Sequence, residues 1–553
     1  MRADIEAAFG AVDDPSAVVS GARSTGWDAA EEFPASACAA LDRIGVPRTY
    51  VPARYGGDLG DYAGLLDAVR TIAARDLTVA VAHAKTFLGG ACVWVAGRPE
   101  QARELAAEIF AGAPVSWALT EPGHGSDLLA GEFTAAPGPH GFILDGTKWP
   151  INNATRSDLL CVLARTGAEG GPRAFSLFLV DKRRIGADGF STLPKVPTHG
   201  IRGADISGLT LTGAEVRNDA MVGPEGSGLE TVLKTLQLTR IVCVALSLGA
   251  ADHALSLAAE FTAGRELYGS RLAELPHVRR SRGRSYARLF AAEAVAFVAA
   301  RAIHTLTPEL SVISAVAKAY VPEQIDMLVG DCGELLGARA FMAGVFADGR
   351  FQKLERDHRI VGIFDGNTFV NRNALINQFP ILGRAYRAGT ADAAAVVAAA
   401  TVDSAGAEPD FGRLSLAARS GCSIVQHLPH AVAGLNAPDG ARESAAELLA
   451  ECDALHARLT EYRPTGADPA PEAFELARRY ESCFAGAAAI ALWNANDRTG
   501  DPLWEDALWL RAVLRHVLGD LGRSGSDEVF DELPGRVSSA ASIVRTARQE
   551  VAV

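Results

Sequence analysis

The sequence predicts a protein that is mainly α-helical with one central β domain. Apolar residues recur at spacings of three and four over the first 112 residues, and again from residue 221 onwards. Between these regions, residues 113–220 hold short β-rich runs punctuated by Pro-Gly, Asp-Gly and Gly-Gly pairs. At 553 residues, the chain exceeds the roughly 250–300 residues at which one hydrophobic core usually divides into several. The order of regions along the chain is therefore α, β, α, α.

Residues 1–112 are predicted to form an N-terminal helical domain. Helical spacing of apolar residues is clearest at 33–44, 64–74 and 99–110. The segment 52–57 is rich in turn-forming proline and glycine, and it separates the first of these helices from the second.

Residues 113–220 are predicted to form a small antiparallel β domain. Its β-rich runs lie at 141–144, 159–164, 175–180 and 209–211. Turn pairs between the runs are typical of strands joined by short connections.

Two further helical regions come after the β domain. Residues 221–385 are predicted to form a helical bundle, with long apolar or amphipathic segments at 229–261 and 279–305. Residues 386–553 are predicted to form a helical C-terminal extension. A polar stretch near 388–392 marks its beginning. We find no catalytic motif and no internal repeat in this extension.

Composition narrows the class of protein. The net charge of −13 argues against a nucleic-acid-binding protein. The first residues lack a basic-then-apolar signal pattern, and no uncharged run approaches the about 20 residues that span a bilayer. The eight cysteines are scattered without CxxC pairs, which favours reduced thiols over disulfides or a metal site. The sequence therefore predicts a cytoplasmic protein with no membrane span and no metal.

The most informative segment runs from Trp117 to Asp127, with the sequence WALTEPGHGSD. It is a strand end followed by a turn, in which Gly123 and Gly125 permit close approach of the backbone to a ligand. The exposed backbone N–H groups of such a turn suit the ring edge and pyrophosphate of a flavin nucleotide. The string resembles LTEPGxGSD, the signature of the acyl-CoA dehydrogenase family. His124 occupies a position that varies in the family, so we assign it no ligand role.

The resemblance continues over about residues 25 to 385, at the spacings of the family. The matching segments are a PxxYGG turn at 52–57, Arg75-Asp76 with His83, a DGxK turn at 145–148, xGxRG at 199–203, Thr239-Arg240, RxxFG at 265–269 and Arg356-Asp357. The fold implied is a helical N-terminal domain, a β-barrel middle domain and a helical bundle, with FAD bound non-covalently between the last two.

The resemblance also implies which residues contact the ligands. The FAD-binding positions are Trp117, Leu119, Thr120, Gly125, Ser126, Pro150, Ile151, Asn152, Arg265, Tyr268, Glu334, Leu335, Gly337, Ala338, Asn367 and Thr368. The substrate-binding positions are Ser126, Gln237, Arg240 and Gly366. In the family, Arg265 and the segment 334–340 match elements that reach the FAD of a neighbouring subunit. A homodimer is therefore expected, in which the C-terminal extension covers the surface that builds tetramers in shorter members.

The catalytic loop is expected at residues 364–372, FDGNTFVNR, which resembles the family motif YEGTSxIQR. The alignment places Asp365 where the family has its glutamate base. A carboxylate is needed there, because the α-proton of a thioester is weakly acidic and a desolvated base has a raised pKa. Aspartate is one methylene shorter than glutamate, so its oxygens reach about 1 Å less far, a displacement that can cost about 10²-fold in rate. The alternative is that Asp365 only forms the Asp-Gly turn.

Several positions depart from the family pattern around the flavin. Pro150-Ile151-Asn152 replaces the usual WIT, and Trp149 stands one place early. A shift of one residue on a strand turns a side chain to the opposite face, so Trp149 is interpreted as a packing residue. Residues 334–340 lose two glycines of the family's QxFGGxG, and Pro276 replaces a glutamine that contacts FAD.

One cluster of charges leaves two interpretations open. Arginines at 279, 280, 282 and 284 could contact a phosphopantetheine arm or an acidic carrier protein. Alternatively, they form a solvated or salt-bridged start of a helix.

Together these features predict FAD-dependent α,β-dehydrogenation of an acyl thioester, carried by CoA or by a carrier protein. The electron acceptor is not specified by the sequence. Two alternatives remain. Nitroalkane oxidases share the fold and have aspartate at the base position, so Asp365 also fits a substrate that is not a fatty acyl group. A catalytically silent flavin-binding homologue is the other.

Overall fold

The computed structural model describes residues 1–168, 170–404, 406–463, 469–537 and 541–545. The chain divides into two compact units. The first comprises Met1–Gly60 and Thr71–Thr239, and the second comprises Asp61–Arg70 and Arg240–Val553.

The N-terminal region is helical, as predicted. Its helices are α1 (Arg2–Phe9), α2 (Gly21–Ala30), α3 (Ala35–Arg43), α4 (Tyr62–Arg75), α5 (Leu77–Ala96) and α6 (Pro99–Phe110). Asp76 caps α5 by accepting a hydrogen bond from the Val79 backbone N–H at 3.1 Å, which satisfies one of the free donors of the first turn. The helices expected at 33–44, 64–74 and 99–110 are confirmed.

The central domain is a mixed sheet. Its strands are β1 (Val115–Ala118), β2 (Thr134–Gly138), β3 (Gly141–Asn152), β4 (Leu159–Arg165), β5 (Phe175–Asp181), β6 (Phe190–Leu193), β7 (Ile206–Arg217) and β8 (Met221–Val222). The strand order is β6-β7-β3-β2-β4-β5-β8, with β1 beside β4. Most pairs are antiparallel, as predicted, but β1 and β2 each pair with β4 in parallel. Buried Phe133, Leu144, Leu160 and Phe178 form part of its core.

The second unit is helical. After a short hairpin of β9 (Glu266–Leu267) and β10 (Ser270–Arg271), helices account for most of its ordered elements. The helices are α7 (Gly228–Gly264, which begins in the first unit), α8 (Pro276–Thr305), α9 (Leu310–Leu336), α10 (Ala338–Phe341), α11 (Arg350–His358), α12 (Thr368–Ile376), α13 (Phe379–Ala388), α14 (Ala393–Ala400), α15 (Ser423–Gln426), α16 (Leu428–Ala433), α17 (Asp439–Glu461), α18 (Pro471–Asn494), α19 (Leu508–Asp520) and α20 (Glu528–Glu532).

Two helices are long and apolar enough to cross a membrane by length and composition, α5 and α7. Their most apolar windows are 78% and 83% buried within the fold, which is the pattern of core helices in a globular protein. Seven of the eight cysteines are buried, Cys38 is half-buried, and all eight are free thiols.

The basic start of α8 forms salt bridges with the C-terminal extension. Arg280 pairs with Asp531 at 2.5 Å, and Arg284 pairs with Asp527 at the same distance. A Cβ at Gly283 would lie 1.7 Å from the Phe530 carbonyl oxygen, so the chain at 530 packs directly on α8. Of the two interpretations of this arginine cluster, the structure supports the salt-bridged helix start.

Candidate active site

The glycine turn that follows β1 is anchored at its first residue by a buried ion pair. Lys148 on β3 donates from Nζ to Glu121 Oε1 at 2.8 Å and to the Leu119 carbonyl at 3.0 Å. Glu121 also accepts hydrogen bonds from the backbone N–H groups of Glu132 and Phe133. Burial lowers the pKa of Lys148 to about 8, partly opposed by Glu121. The pair therefore holds the base of the turn in place.

Beyond Glu121 the turn is open. Nothing lies within 4 Å of where a Cβ would project at Gly123 or Gly125, and Ser126 is exposed. Two buried polar atoms close by, Trp117 Nε1 and Asn152 Oδ1, have no hydrogen-bond partner among the residues that the structure describes. Buried polar groups in native proteins are nearly always paired, and these two atoms can bond to a polar ligand. An open glycine turn beside unsatisfied polar groups fits a flavin nucleotide.

The expected flavin-contacting parts of β1 and β3 are joined. Thr120 Oγ1 donates to the Pro150 carbonyl at 3.0 Å, and the Trp149 backbone N–H donates to the Thr120 carbonyl at 3.0 Å. The Ile151 side chain lies in the core of the sheet, so only its backbone is available to a ligand. Asn152 donates to the Val81 carbonyl at 3.0 Å.

The strand around Trp149 is irregular, which corrects one premise of the sequence-based interpretation. Lys148 pairs with Leu209 but Ile151 pairs with Ser207, so β3 carries one residue more than β7 across this interval. A bulge of this kind interrupts the strict alternation of faces expected around Trp149. A Cβ on Gly208 would lie 2.9 Å from Trp149 Cδ1, so the ring packs against this glycine. Trp149 is therefore still interpreted as a packing residue, but the reason is its contact with Gly208 and not the alternation of faces along the strand.

The loop that carries Asp365 lies in the second unit and is held against α7. Arg240 Nε donates to the Asp365 carbonyl at 3.0 Å, and the Cys243 thiol lies 3.6 Å from Asp365 Oδ2. Asp365 has φ 54°, a left-handed conformation that aspartate tolerates better than most residues. Gly366 follows at φ 92°, and a Cβ there would lie 2.8 Å from the Arg240 guanidinium. Burial lowers the pKa of Arg240 to about 10, partly opposed by Asp365.

Lys318 and Asn371 hold the same loop, and sequence reasoning missed both. Lys318 on α9 is fully buried, and its Nζ donates to the Val361 carbonyl at 2.6 Å and the Gly366 carbonyl at 3.3 Å. Burial lowers the pKa of Lys318 to about 8. Asn371 Nδ2 donates to the Gly366 carbonyl at 2.9 Å. A lysine inside the apolar run of α9 was the only available signal for this contact.

The remaining candidate residues differ in exposure. Arg265, Tyr268, Glu334, Gly337 and Ala338 are exposed, with Leu335 and Thr368 half-buried. Gln237 is buried on α7. Asn367 caps α12 by accepting a hydrogen bond from the Val370 N–H at 2.9 Å. In the part of the chain that the structure describes, no group of three or more His, Cys, Asp or Glu residues is arranged to hold a metal ion.

Comparison with known proteins gives a consistent result. Models of the acyl-CoA dehydrogenase N-terminal, middle and C-terminal domains match residues 20–113, 116–214 and 226–379. The probable acyl-CoA dehydrogenase FadE25 of Mycobacterium tuberculosis is 28% identical over 347 residues, which cover 62% of this chain and 87% of the relative.

Two solved structures have a similar fold. The acyl-CoA dehydrogenase of Bacillus anthracis, complexed with FAD, superimposes with a TM-score of 0.64 at 18% identity, over 92% of this chain and 86% of its own. The prolyl acyl carrier protein oxidase AnaB superimposes with a TM-score of 0.58 at 22% identity, over 63% of this chain and 91% of its own. The family models cover more than half of the chain and the fold agrees with them. The chain therefore belongs to the acyl-CoA dehydrogenase family, as an FAD-dependent oxidoreductase that acts on CH–CH groups.

Proposed function

We propose that this protein dehydrogenates the α,β-bond of an acyl thioester, with Asp365 as the base that removes the α-proton. The observation that carries this proposal is the environment of Asp365. Its carboxylate is half-buried beside Cys243, and its backbone is fixed by Arg240. The nearest competitors are less suitable, because Asp357 is fully buried in an ion pair with Lys353 and Glu334 is exposed on α9.

Each part of the loop has a role in this reaction. The Asp365 carboxylate takes the α-proton, which becomes acidic enough only when the thioester carbonyl is polarised. No described residue accepts a hydrogen bond from the Asp365 backbone N–H, so this donor is available to the thioester carbonyl oxygen of the substrate. When bound, FAD accepts the hydride that leaves the β-carbon. Arg240 and Lys318 keep the loop carbonyls oriented while the proton moves.

The substrate is proposed to be an acyl-CoA, as in the relatives that the chain resembles. The AnaB structure shares the fold, so thioesters on a carrier protein are the second candidates. Asp365 favours one further class, because the shorter base leaves more room between the carboxylate and the ligand. Nitroalkanes, which lose their α-proton more readily than thioesters do, belong in the same panel of compounds.

We further propose that FAD is bound by residues of two subunits. Arg265 is exposed at the start of the hairpin β9–β10, whose turn residues Tyr268 and Gly269 both have positive φ. Tyr268 is 96% exposed, which is unusual for an aromatic side chain and fits a residue covered by a partner. Because ligand and assembly are linked by mass action, Arg265→Ala should weaken both FAD retention and the dimer. Arg271→Ala, on the same hairpin, is the control, and a monomer that binds FAD tightly would contradict this assignment.

Replacing Asp365 by asparagine tests the proposed base. Asp365→Asn should keep the fold and the bound FAD but lower the rate of flavin reduction by at least about 10², as expected for the loss of a general base. The rate is measured anaerobically by flavin bleaching with acyl-CoAs, carrier-bound thioesters and nitroalkanes. Asp348→Asn is a matched control, since Asp348 also precedes a glycine, has φ 56° and is exposed. Reduction at the wild-type rate in Asp365→Asn would refute the assignment.

A wild-type protein that binds FAD but bleaches with none of these compounds would identify a catalytically silent homologue instead.

A further inference from the structure

The C-terminal extension is tied to α12, the helix that follows the catalytic loop. Arg372 on α12 donates from Nε to Glu481 Oε1 and from a terminal nitrogen to Glu481 Oε2, both at 2.9 Å. Glu481 lies on α18 and is fully buried. The two helices also meet through an aromatic contact, one turn before Arg372 on α12. The ring of Phe369 meets that of Phe474 edge-on, with centroids 5.9 Å apart. The two helices are therefore joined by a bidentate ion pair and an aromatic contact.

Helix α12 is continuous with the loop that carries Asp365. The helix begins at Thr368 and is capped by Asn367, so only Gly366 separates the cap from Asp365. Asn371, next to Arg372 in sequence, donates to the carbonyls of Gly366 and Asn367 at 2.9 Å. A rotation or shift of α12 would therefore move the loop backbone with it.

We propose that the C-terminal extension positions the catalytic loop, with Glu481 as a positioning residue that acts through Arg372. Glu481 does not reach the loop itself. The proposal rests on the proposed function, because it takes Asp365 to be the base and the position of its carboxylate to determine the rate of the reaction.

The geometry favours positioning over simple stabilisation. Burial raises the pKa of Glu481 to about 7, and the opposing effect of Arg372 is not sufficient to restore an ordinary value. Buried ion pairs of this kind add little net stability, because desolvation offsets the attraction between the charges. A bidentate guanidinium–carboxylate pair nevertheless fixes distance and orientation together. Arg372 also pairs with Glu323 on α9, so it fixes α12 against two helices at once.

Glu481→Gln removes the charge while keeping the size of the side chain. We expect it to retain FAD, to lower the rate of flavin reduction about tenfold, and to speed amide hydrogen exchange at residues 361–371. Glu451→Gln is the matched control. Glu451 is buried on α17 in the extension, and its ion-pair partners, Arg479 and Arg523, both lie outside α12. We expect this control to leave the loop's exchange and the reduction rate within about twofold of the wild type.

Two outcomes distinguish failure of the positioning role from failure of the proposed function. If the wild type does not reduce its flavin at all, the proposed function fails, while hydrogen exchange still tests whether Glu481 holds the loop. If Glu481→Gln shows wild-type exchange at 361–371 and wild-type reduction, the positioning role is refuted.

A second variant applies if Glu481→Gln does not fold. Arg372→Lys keeps the charge and loses the bidentate geometry. Faster loop exchange and slower reduction in Arg372→Lys support the role, and wild-type values refute it.

Discussion

The glycine turn of the first unit and the loop that carries Asp365 in the second unit differ in how their backbones are held. The side chain of Glu121 anchors the start of the turn, and beyond that residue a Cβ at Gly123 or Gly125 would meet no atom within 4 Å. In the loop that carries Asp365, two backbone carbonyls accept hydrogen bonds from buried side chains, that of Asp365 from Arg240 and that of Gly366 from Lys318. The loop therefore commits two of its carbonyls to the protein, whereas the turn places two glycines beside open space.

The difference is the one that the proposed roles of the two segments require. A turn that binds a nucleotide needs free N–H groups and room for the ligand to approach, so side-chain contacts would compete with binding. A loop that carries a base must hold its carboxylate in one place before the substrate arrives, because preorganised groups cost no reorganisation during the reaction. We expect substitutions in the loop to affect rate and stability together, and substitutions in the turn to affect cofactor binding alone.

The largest effect is expected at Lys318. Lys318→Met would leave the Val361 carbonyl without its buried donor and would remove one of the two donors to the Gly366 carbonyl, at a cost of about 1–3 kcal/mol in the free energy of unfolding. Displacement of Asp365 should also lower the rate of flavin reduction about 10²-fold. Denaturant unfolding and anaerobic reduction measure the two quantities.

A lysine of the first unit provides the control for this change. Lys182 Nζ donates to the carbonyls of Ala154 and Thr155 at 2.9 and 3.3 Å, which is the same kind of contact. Lys182→Met should therefore lower stability and leave the reduction rate unchanged. An equal loss of rate in both variants would show that Lys318 has no particular relation to the loop.

A smaller effect is expected from adding one methyl group to the loop. Gly366→Ala places a Cβ 2.8 Å from the Arg240 guanidinium at a residue with φ 92°, so both contact and backbone are strained. Strain of this kind costs about 1–3 kcal/mol, and we expect the reduction rate to fall about tenfold. Gly389→Ala also has a left-handed φ but no atom within 4 Å, so it separates backbone strain from the clash. A normal rate in Gly366→Ala would show that the loop accommodates displacement of Arg240.

The fold class and the FAD-dependent family could be predicted from the sequence, because these follow from periodicity and from contiguous motifs. The sequence did not identify Lys318 or Glu481, which lie 47 and 116 residues from Asp365 in sequence and reach the loop or its helix only through the packing of α9 and α18. The bulge at Trp149 was missed for a related reason. The extra residue exists only relative to the pairing of β3 with β7, and the alternation of residues within β3 does not contain that information.

The smallest effect on folding, and the sharpest contrast with Gly366, is expected at Gly125. Nothing lies within 4 Å of a Cβ there and the residue does not require positive φ, so Gly125→Ala should change the free energy of unfolding by less than about 0.5 kcal/mol. The methyl group would instead occupy the space through which a ligand approaches the turn. We therefore expect the dissociation constant of FAD to rise about tenfold, equivalent to about 1.4 kcal/mol, as measured by titration of flavin into the apoprotein. Gly60→Ala, at a similarly open glycine of the same unit, should leave FAD binding unchanged. If Gly125→Ala binds FAD as the wild type does, the open turn is not where the cofactor approaches the backbone, and its openness needs another explanation.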